Sequence, residues 1–470
     1  MNLDVFEPVN NSILTEIKAS FNTEEMMSWV EEILESYSEV ITCPKYQSVF
    51  LSKDIENQEN LIGAAGRLLG LKVSVSTTEI LGELDYLGKV FFSTTINPDS
   101  DYITTPYQEV FDLCKSLYDR IKERLSSKLY AVPFIGGVRS IILNDQPQEI
   151  VNYYLPEIEL FGGEDGFTLF TASHIPEKVF QPRSVDITDE LVRVGSSSII
   201  DEPNKDEYLS MMAEILQKLE EKYLKKIVIS RKRSITPEAN FDREQYVKYL
   251  FRKYYQEYFY MFRQGEEAYW AGISPEVIIK QEGRQAVTEP LAGTRKKTSE
   301  TTDYEAVRKE LTSTPKDIVE HDYASFFMHD QLVGAGIGEV QIINNKTLLE
   351  TPYAFHIKSK ISIDLNPSSS FFDIIRAIYP PPTIWGIPID KTEKTLLEAE
   401  PFDREFYTGL YGYWTFADKA NIALVIRTVK VGEDSICLYA GGGIVASSDP
   451  IAEYEEAENK MLPLLDYFLL

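Results

Sequence analysis

The sequence predicts an α+β protein built largely on antiparallel sheet. Three observations carry this: short β-branched and aromatic runs outnumber the segments of helical periodicity, the second half is rich in such runs, and few of them are separated by a helix. Successive parallel strands need a long crossover connection, usually helical, whereas most of these runs follow one another closely.

Residues 20–37 and 107–128 have apolar positions three and four apart among charges, which predicts amphipathic helices. KVSVST (72–77), KVFFST (89–94) and IVNYYLPEIELFG (150–162) predict strands. The polar, proline-bearing stretch 175–205 is the best boundary candidate and reads as a long surface connection. It separates 1–200, the N-terminal part of the fold, from 201–470, the catalytic region, within one structural domain. Residues 206–224 predict a helix that runs into KKIVISRKR, a strand with Ile227 and Ile229 on one face and Lys226, Val228 and Ser230 on the other. Further strands are expected at 268–280, 284–288, 338–343, 347–364, 406–416, 421–430 and 434–440, and helices at 301–312, 315–332, 369–378, 390–398 and 450–467.

Composition excludes several functions. With 74 acids against 47 bases the formal charge is −27, a field that repels nucleic acid and anionic membranes. No apolar run reaches the roughly 18 residues that span a bilayer. The first residues lack the pattern of a signal peptide, and Cys43, Cys114 and Cys437 form neither a disulfide framework nor a metal cluster. A cytoplasmic protein is expected. Four histidines leave acid–base chemistry to Lys, Glu and Asp.

GGGIVASSDPIAEYEEAENK (441–460) joins a glycine triplet to a helix with Asp449 as N-cap and Pro450 in its first turn. Glu453, Glu456 and Lys460 share a helix face, as a solvated salt-bridged surface or as ligands. Asp317 and Glu320 make a second acidic pair near another helix start, and two such pairs suit a hard cation such as Mg2+. Lys226 is either a snorkelling strand residue or a desolvated general base. Glu276, in GISPEVII, is a surface-turn carboxylate or a general acid with a raised pKa. Gly293, Thr294 and Arg295, in EPLAGTRKK, offer donors to a carboxylate.

KIVISR (226–231), GISPE (272–276), PLAGTR (290–295), DIVEH (317–321) and GGGIVASSDPIAEYEEAENK, in this order, resemble the chorismate-utilising enzymes, which include anthranilate, aminodeoxychorismate, isochorismate and salicylate synthases. The resemblance is strong over about 206–468. It implies an anthranilate synthase component I-like fold of two large antiparallel sheets flanked by helices, with the active site between them. It also implies Mg2+ bound by Glu320 and Glu456, with Asp317 and Glu453 around them, gripping the ring carboxylate of chorismate. Lys460, Arg427, Tyr407 and the backbone of Gly441 and Gly443 would hold the carboxylates. Gly293 and Thr294 would line the pocket, and His356 matches a histidine found across the family.

The nucleophile follows from the same resemblance. Water-using members carry a lysine base where ammonia-using members carry glutamine, and this position is Lys226. Glu276 would protonate the leaving C4 hydroxyl. The implied reaction is chorismate to isochorismate; an alternative continues to salicylate and pyruvate, and a further one is an ammonia-using subunit. Thr383 resembles salicylate synthases and the ammonia-using members alike, EAEPFDREFYTGLYGYW (398–414) resembles isochorismate synthases, and Trp385 is expected to narrow the pocket. The protein is expected to act as a monomer on a small-molecule substrate, without a glutaminase subunit.

Overall fold

The computed structural model of the protein describes residues 47–53, 59–65, 69–86, 89–97, 105–125, 134–140, 147–156, 158–163, 166–171, 194–239, 241–254, 258–263, 268–297, 304–351 and 354–469. The predicted helix at 20–37 and Cys43 lie outside these residues.

The described strands form two twelve-stranded sheets. The first runs Phe468–Leu469, Val194–Glu202, Lys226–Pro237, Ile436–Ile444, Thr428–Val431, Tyr269–Ile273, Phe259–Arg263, Gln47–Lys53, Glu59–Ala65, Ile158–Gly163, Gly166–Thr171, with Gly386–Ile387 pairing beside Lys226–Pro237. The second runs Leu291–Lys296, Ala354–Leu365, Gln285–Thr288, Val277–Glu282, Lys419–Leu424, Leu410–Trp414, Phe134–Val138, Gln148–Leu155, Leu69–Val75, Ile80–Tyr86, Lys89–Ile96, with Gly338–Glu350 on Ala354–Leu365. The pair Val194–Glu202 and Phe468–Leu469 is parallel; the neighbours that build the site are antiparallel. The fold is α+β, as the sequence predicts. Strands from before and after residue 200 pair directly, Gln47–Lys53 with Phe259–Arg263 and Phe134–Val138 with Leu410–Trp414, so the two halves of the chain share both sheets.

Strand alternation sorts the side chains of Lys226–Pro237. Ile227 and Ile229 pack into an apolar cluster with Tyr208, Met212, Trp385 and Ile444, while Val228 faces the opposite way. Lys205–Glu220 covers that cluster. Its Asn204 side chain accepts from the N–H groups of Asp206 and Glu207, and Glu207 reaches back to the Asn204 N–H, a capping box that fixes where the helix starts. Burying the four helix residues Tyr208, Met212, Ile215 and Leu219 contributes about 1.5–3 kcal/mol for each large apolar side chain.

The structure departs from the sequence expectations in several places: 268–280 splits into Tyr269–Ile273 in the first sheet and Val277–Glu282 in the second, and 150–162 is divided between Gln148–Leu155 in the second sheet and Ile158–Gly163 in the first. The glycine triplet is not a loop: it lies inside Ile436–Ile444, with Gly441, Gly442 and Gly443 opposite Ser230, Ile229 and Val228. The segment 421–430 is not one strand. It splits into Lys419–Leu424 in the second sheet and Thr428–Val431 in the first, and the chain crosses between them at Arg427, whose φ is +50°. The break expected near 344–346 falls after Glu350, because Thr347–Glu350 still pairs with Phe355–Lys358. Finally, 175–205 ends in the strand Val194–Glu202. Arg243–Tyr254, to which the sequence expectations assign no element, is a helix that buries Tyr246, Leu250 and Tyr254.

Candidate active site

The site forms where the first sheet faces the end of the second. A cleft of about 650 Å³, counting its mouth, is lined by Val228, Gly441 and Gly443 from one sheet and by Leu291–Thr294 and His356 from the other. Glu320 and Glu456 enter from the helices Pro315–Ala335 and Pro450–Leu465, and Lys460 follows one turn on. Segments between elements add Glu276, Thr383, Ile384, Tyr407 and Arg427. This size and mixed lining suit a small polar molecule.

Local chemistry explains the shape. Glycine at 443 leaves room for the Glu320 carboxylate, which a Cβ there would overlap and push aside, and glycine is required at 441, where a Cβ would stand 2.5 Å from the Ile229 carbonyl. Gly293 takes φ +81° at a bulge in the pairing of Leu291–Lys296 with Ala354–Leu365, which turns Thr294 so that its Oγ1 lies 2.9 Å from His356 Nδ1. Burial, with Arg427 and Lys460 nearby, holds the His356 imidazole well below its usual pKa and therefore neutral. Asp449 caps the second acidic helix, its Oδ1 accepting from the Ala452 N–H at 2.8 Å, as expected from the sequence.

Of the residues singled out in the sequence, twelve line the cleft: Glu276, Gly293, Thr294, Glu320, His356, Thr383, Tyr407, Arg427, Gly441, Gly443, Glu456 and Lys460, whereas Arg295 is held by Glu310 and Asp317 outside it. Three stand behind it. Lys226 is wholly buried, its Nζ 3.3 Å from Glu320 Oε1 and without a hydrogen-bond partner. Glu453 is 3% exposed and pairs with Lys316 at 3.0 Å. Asp317 is drawn to Arg295 at 2.6 Å rather than to the cleft. The Gly441 carbonyl also has a partner, accepting from Lys460 Nζ at 2.6 Å. Trp385 does not narrow the pocket, contrary to expectation. It is 1% exposed in the cluster with Ile227 and Ile229, and Thr383 and Ile384 form the wall instead.

Burial and neighbouring charges push the ionisable groups in and behind the cleft away from their ordinary states. Burial lowers the pKa of Lys226, with Glu320 and Glu276 opposing. Burial raises Glu276 to about 8, against the counteracting Thr383 hydroxyl, the Leu291 N–H and Lys226. Burial alone would also raise Glu320, but Lys226 and Lys316 outweigh it and hold it below the usual range. Glu456 goes down and Glu453 up. Lys460 and Lys316 stabilise the charge of the half-buried Glu456, whereas burial dominates at Glu453.

Two features were missed from the sequence. Lys316 places its ammonium 3.0 Å from Glu453, 3.4 Å from Glu320 and 3.7 Å from Glu456; its i,i+4 spacing to Glu320 was the legible signal. The buried pair Glu400–Arg404 ties the Lys226 strand to the Thr383 loop. Arg404 donates to the carbonyls of Val228 at 2.7 Å and Ile384 at 2.9 Å, and Glu400 accepts from the Ser230 N–H at 2.8 Å. Four carboxylates on two helices are a donor set suited to a hard divalent cation, and Glu453 Oε2 is buried without a hydrogen-bond partner. Among the described residues, however, no three such ligands stand close enough to hold a metal, the acids being spread around Lys316.

Residues 175–466 match the family described as chorismate binding enzyme, and the chain belongs to that family. It is 29% identical over 265 residues, 56% of each chain, to isochorismate synthase MenF of Bacillus subtilis (strain 168). It is 34% identical over 216 residues, 44% of this chain and 41% of the relative, to anthranilate synthase component 1 of Haloferax volcanii. The chain thus matches about half the length of these relatives. The fold is that of MenF, the menaquinone-specific isochorismate synthase of Escherichia coli, with TM-score 0.65 at 16% identity over 95% of this chain and 100% of that one. Anthranilate synthase component I of Streptococcus pneumoniae superposes with TM-score 0.66 at 18% identity, over 88% and 93% of the two chains. Among the described residues no helix is long and apolar enough to cross a membrane.

Proposed function

We propose that the protein converts chorismate to isochorismate. The observation that carries the reading is the inverted acid–base pair, a buried lysine biased toward its neutral form and a buried carboxyl biased toward its protonated form, beside one cleft. Lys226 takes a proton from water as its oxygen bonds to C2 of the ring. The ring double bonds shift, the C4–O bond breaks, and Glu276 protonates the departing hydroxyl, which leaves as water. One water enters and one leaves, so the reaction is an isomerisation. Lys460, Arg427 and Tyr407 hold the substrate carboxylates, with the N–H groups of Gly441 and Gly443 as further donors. Mg2+ held by Glu320 and Glu456, with Glu453 and Asp317 around them, would neutralise the ring carboxylate when bound.

The names of the relatives MenF and EntC (28% identical over 244 residues, 52% of this chain and 62% of that of Escherichia coli) support this reading. Lys226 supports it too, since the resemblance expects a glutamine there in ammonia users. A second reading, in which isochorismate goes on to salicylate and pyruvate, is favoured by Thr383, which lines the cleft beside Glu276 while Trp385 points away. Purified protein incubated with chorismate and Mg2+ should accumulate isochorismate. Salicylate and pyruvate appearing as fast as chorismate disappears would replace the first reading with the second.

A further inference from the structure

The two carboxylates assigned to the metal each have one oxygen already engaged. Lys226 lies 3.3 Å from Glu320 Oε1, and Lys460 lies 2.8 Å from Glu456 Oε1. The remaining oxygens, Glu320 Oε2 and Glu456 Oε2, both turn toward Lys316, at 3.4 and 3.7 Å. Glu453 Oε1 completes the ring at 3.0 Å. One ammonium therefore stands among the oxygens that a bridging cation would need. Mg2+ requires its ligands at about 2.0–2.1 Å, so the oxygens must close in, and two cations cannot share the space.

We propose that Lys316 is a built-in counter-cation that holds the metal position in the metal-free protein and swings out when Mg2+ binds. The inference rests on the Mg2+ reading above. Without a cation, three carboxylates from two helices would repel one another in a mostly buried setting. Lys316 removes that repulsion while leaving the chain intact. Its side chain is 18% exposed and its four-carbon stem is flexible, so part of it already meets solvent. Metal binding is then an exchange, in which a divalent ion displaces a tethered monovalent one, and the protein stays ordered with its site ready.

The test uses the full chain stripped with EDTA, as wild type and as Lys316→Met, titrated with MgCl2 by calorimetry and followed by thermal unfolding. Removing the competing ammonium should tighten Mg2+ binding on the order of tenfold. The metal-free variant should unfold at lower temperature than metal-free wild type, and Mg2+ should raise its midpoint more than it raises that of wild type. Equal or weaker Mg2+ binding by the variant overturns the counter-cation role while the metal reading stands. Mg2+ binding by neither protein overturns both. Where Lys316→Met fails to fold, Lys316→Gln carries the same readouts.

Discussion

Gly443→Ala isolates the position of Glu320. A Cβ built on Gly443 would stand 2.6 Å from Glu320 Cδ and 3.0 Å from Lys226 Cε. Carbon atoms pack at about 3.5–4.0 Å, so the carboxyl must retreat by roughly 1 Å, away from its place between Lys226 and Lys316. The obstruction is the end of a flexible side chain, so the fold should survive with a loss of about 1–3 kcal/mol. Catalysis should not: a displacement of about 1 Å in a positioned group costs on the order of 10²-fold. Gly441→Ala is the contrast, because its Cβ meets the backbone carbonyl of Ile229 at 2.5 Å and a backbone cannot yield cheaply. Gly443→Ala should therefore still unfold cooperatively in urea, at a midpoint lowered by no more than that loss, while consuming chorismate about 10²-fold more slowly, and Gly441→Ala should lose soluble protein. Wild-type turnover in Gly443→Ala would refute the placement of Glu320 at the reacting centre.

Glu276, with its pKa at about 8, should donate its proton through neutral pH, and turnover should fall as pH rises through that value. The folded chain also holds this proton more tightly than the unfolded chain, so stability should decline as pH rises from about 4.5 to about 8. Glu276→Gln, measured by urea unfolding at several pH values, should flatten that decline and remove turnover on the order of 10²–10⁴-fold; a pH–stability curve unchanged by the substitution contradicts the burial of the charge. EDTA should abolish activity and Mg2+ restore it, whereas Glu456→Gln should cut turnover by orders of magnitude at any Mg2+ level, and full activity in metal-free buffer sinks the metal reading. Thr383→Ala, followed by salicylate fluorescence and pyruvate release, should shift the product mixture further toward isochorismate; pyruvate release unaffected by the change excludes Thr383 as the determinant.

Much of this site was legible because its residues sit in short contiguous motifs. The helix starts at Asp449 and Pro315, the strand faces around Lys226, and the spacing of the two acidic pairs all follow from local chemistry. What stayed hidden depends on partners distant in the chain. The glycine triplet invites a loop reading because three glycines lower strand propensity. Only the approach of Glu320, Glu453 and Tyr407 from other elements shows why a strand carries them. Arg427 lies where one apolar run passes from sheet to sheet, a change that periodicity does not register. Trp385 and Thr383 are two residues apart yet face a core cluster and the cleft, and the Arg404 bonds to Val228 and Ile384 set that loop. Lys316 reads as one more surface lysine until the helix carrying Glu453 and Glu456 is placed beside it.

In the proposed reaction water, activated by Lys226, attacks C2 while the C4 hydroxyl departs. Chorismate converted by the protein with Mg2+ in ¹⁸O-water tests it directly, with ammonium salt present and the product examined by mass spectrometry and NMR. Isochorismate with one heavy oxygen at C2 is expected, and loss of that product in Lys226→Ala. Isochorismate without the label, or an aminated product, would contradict it.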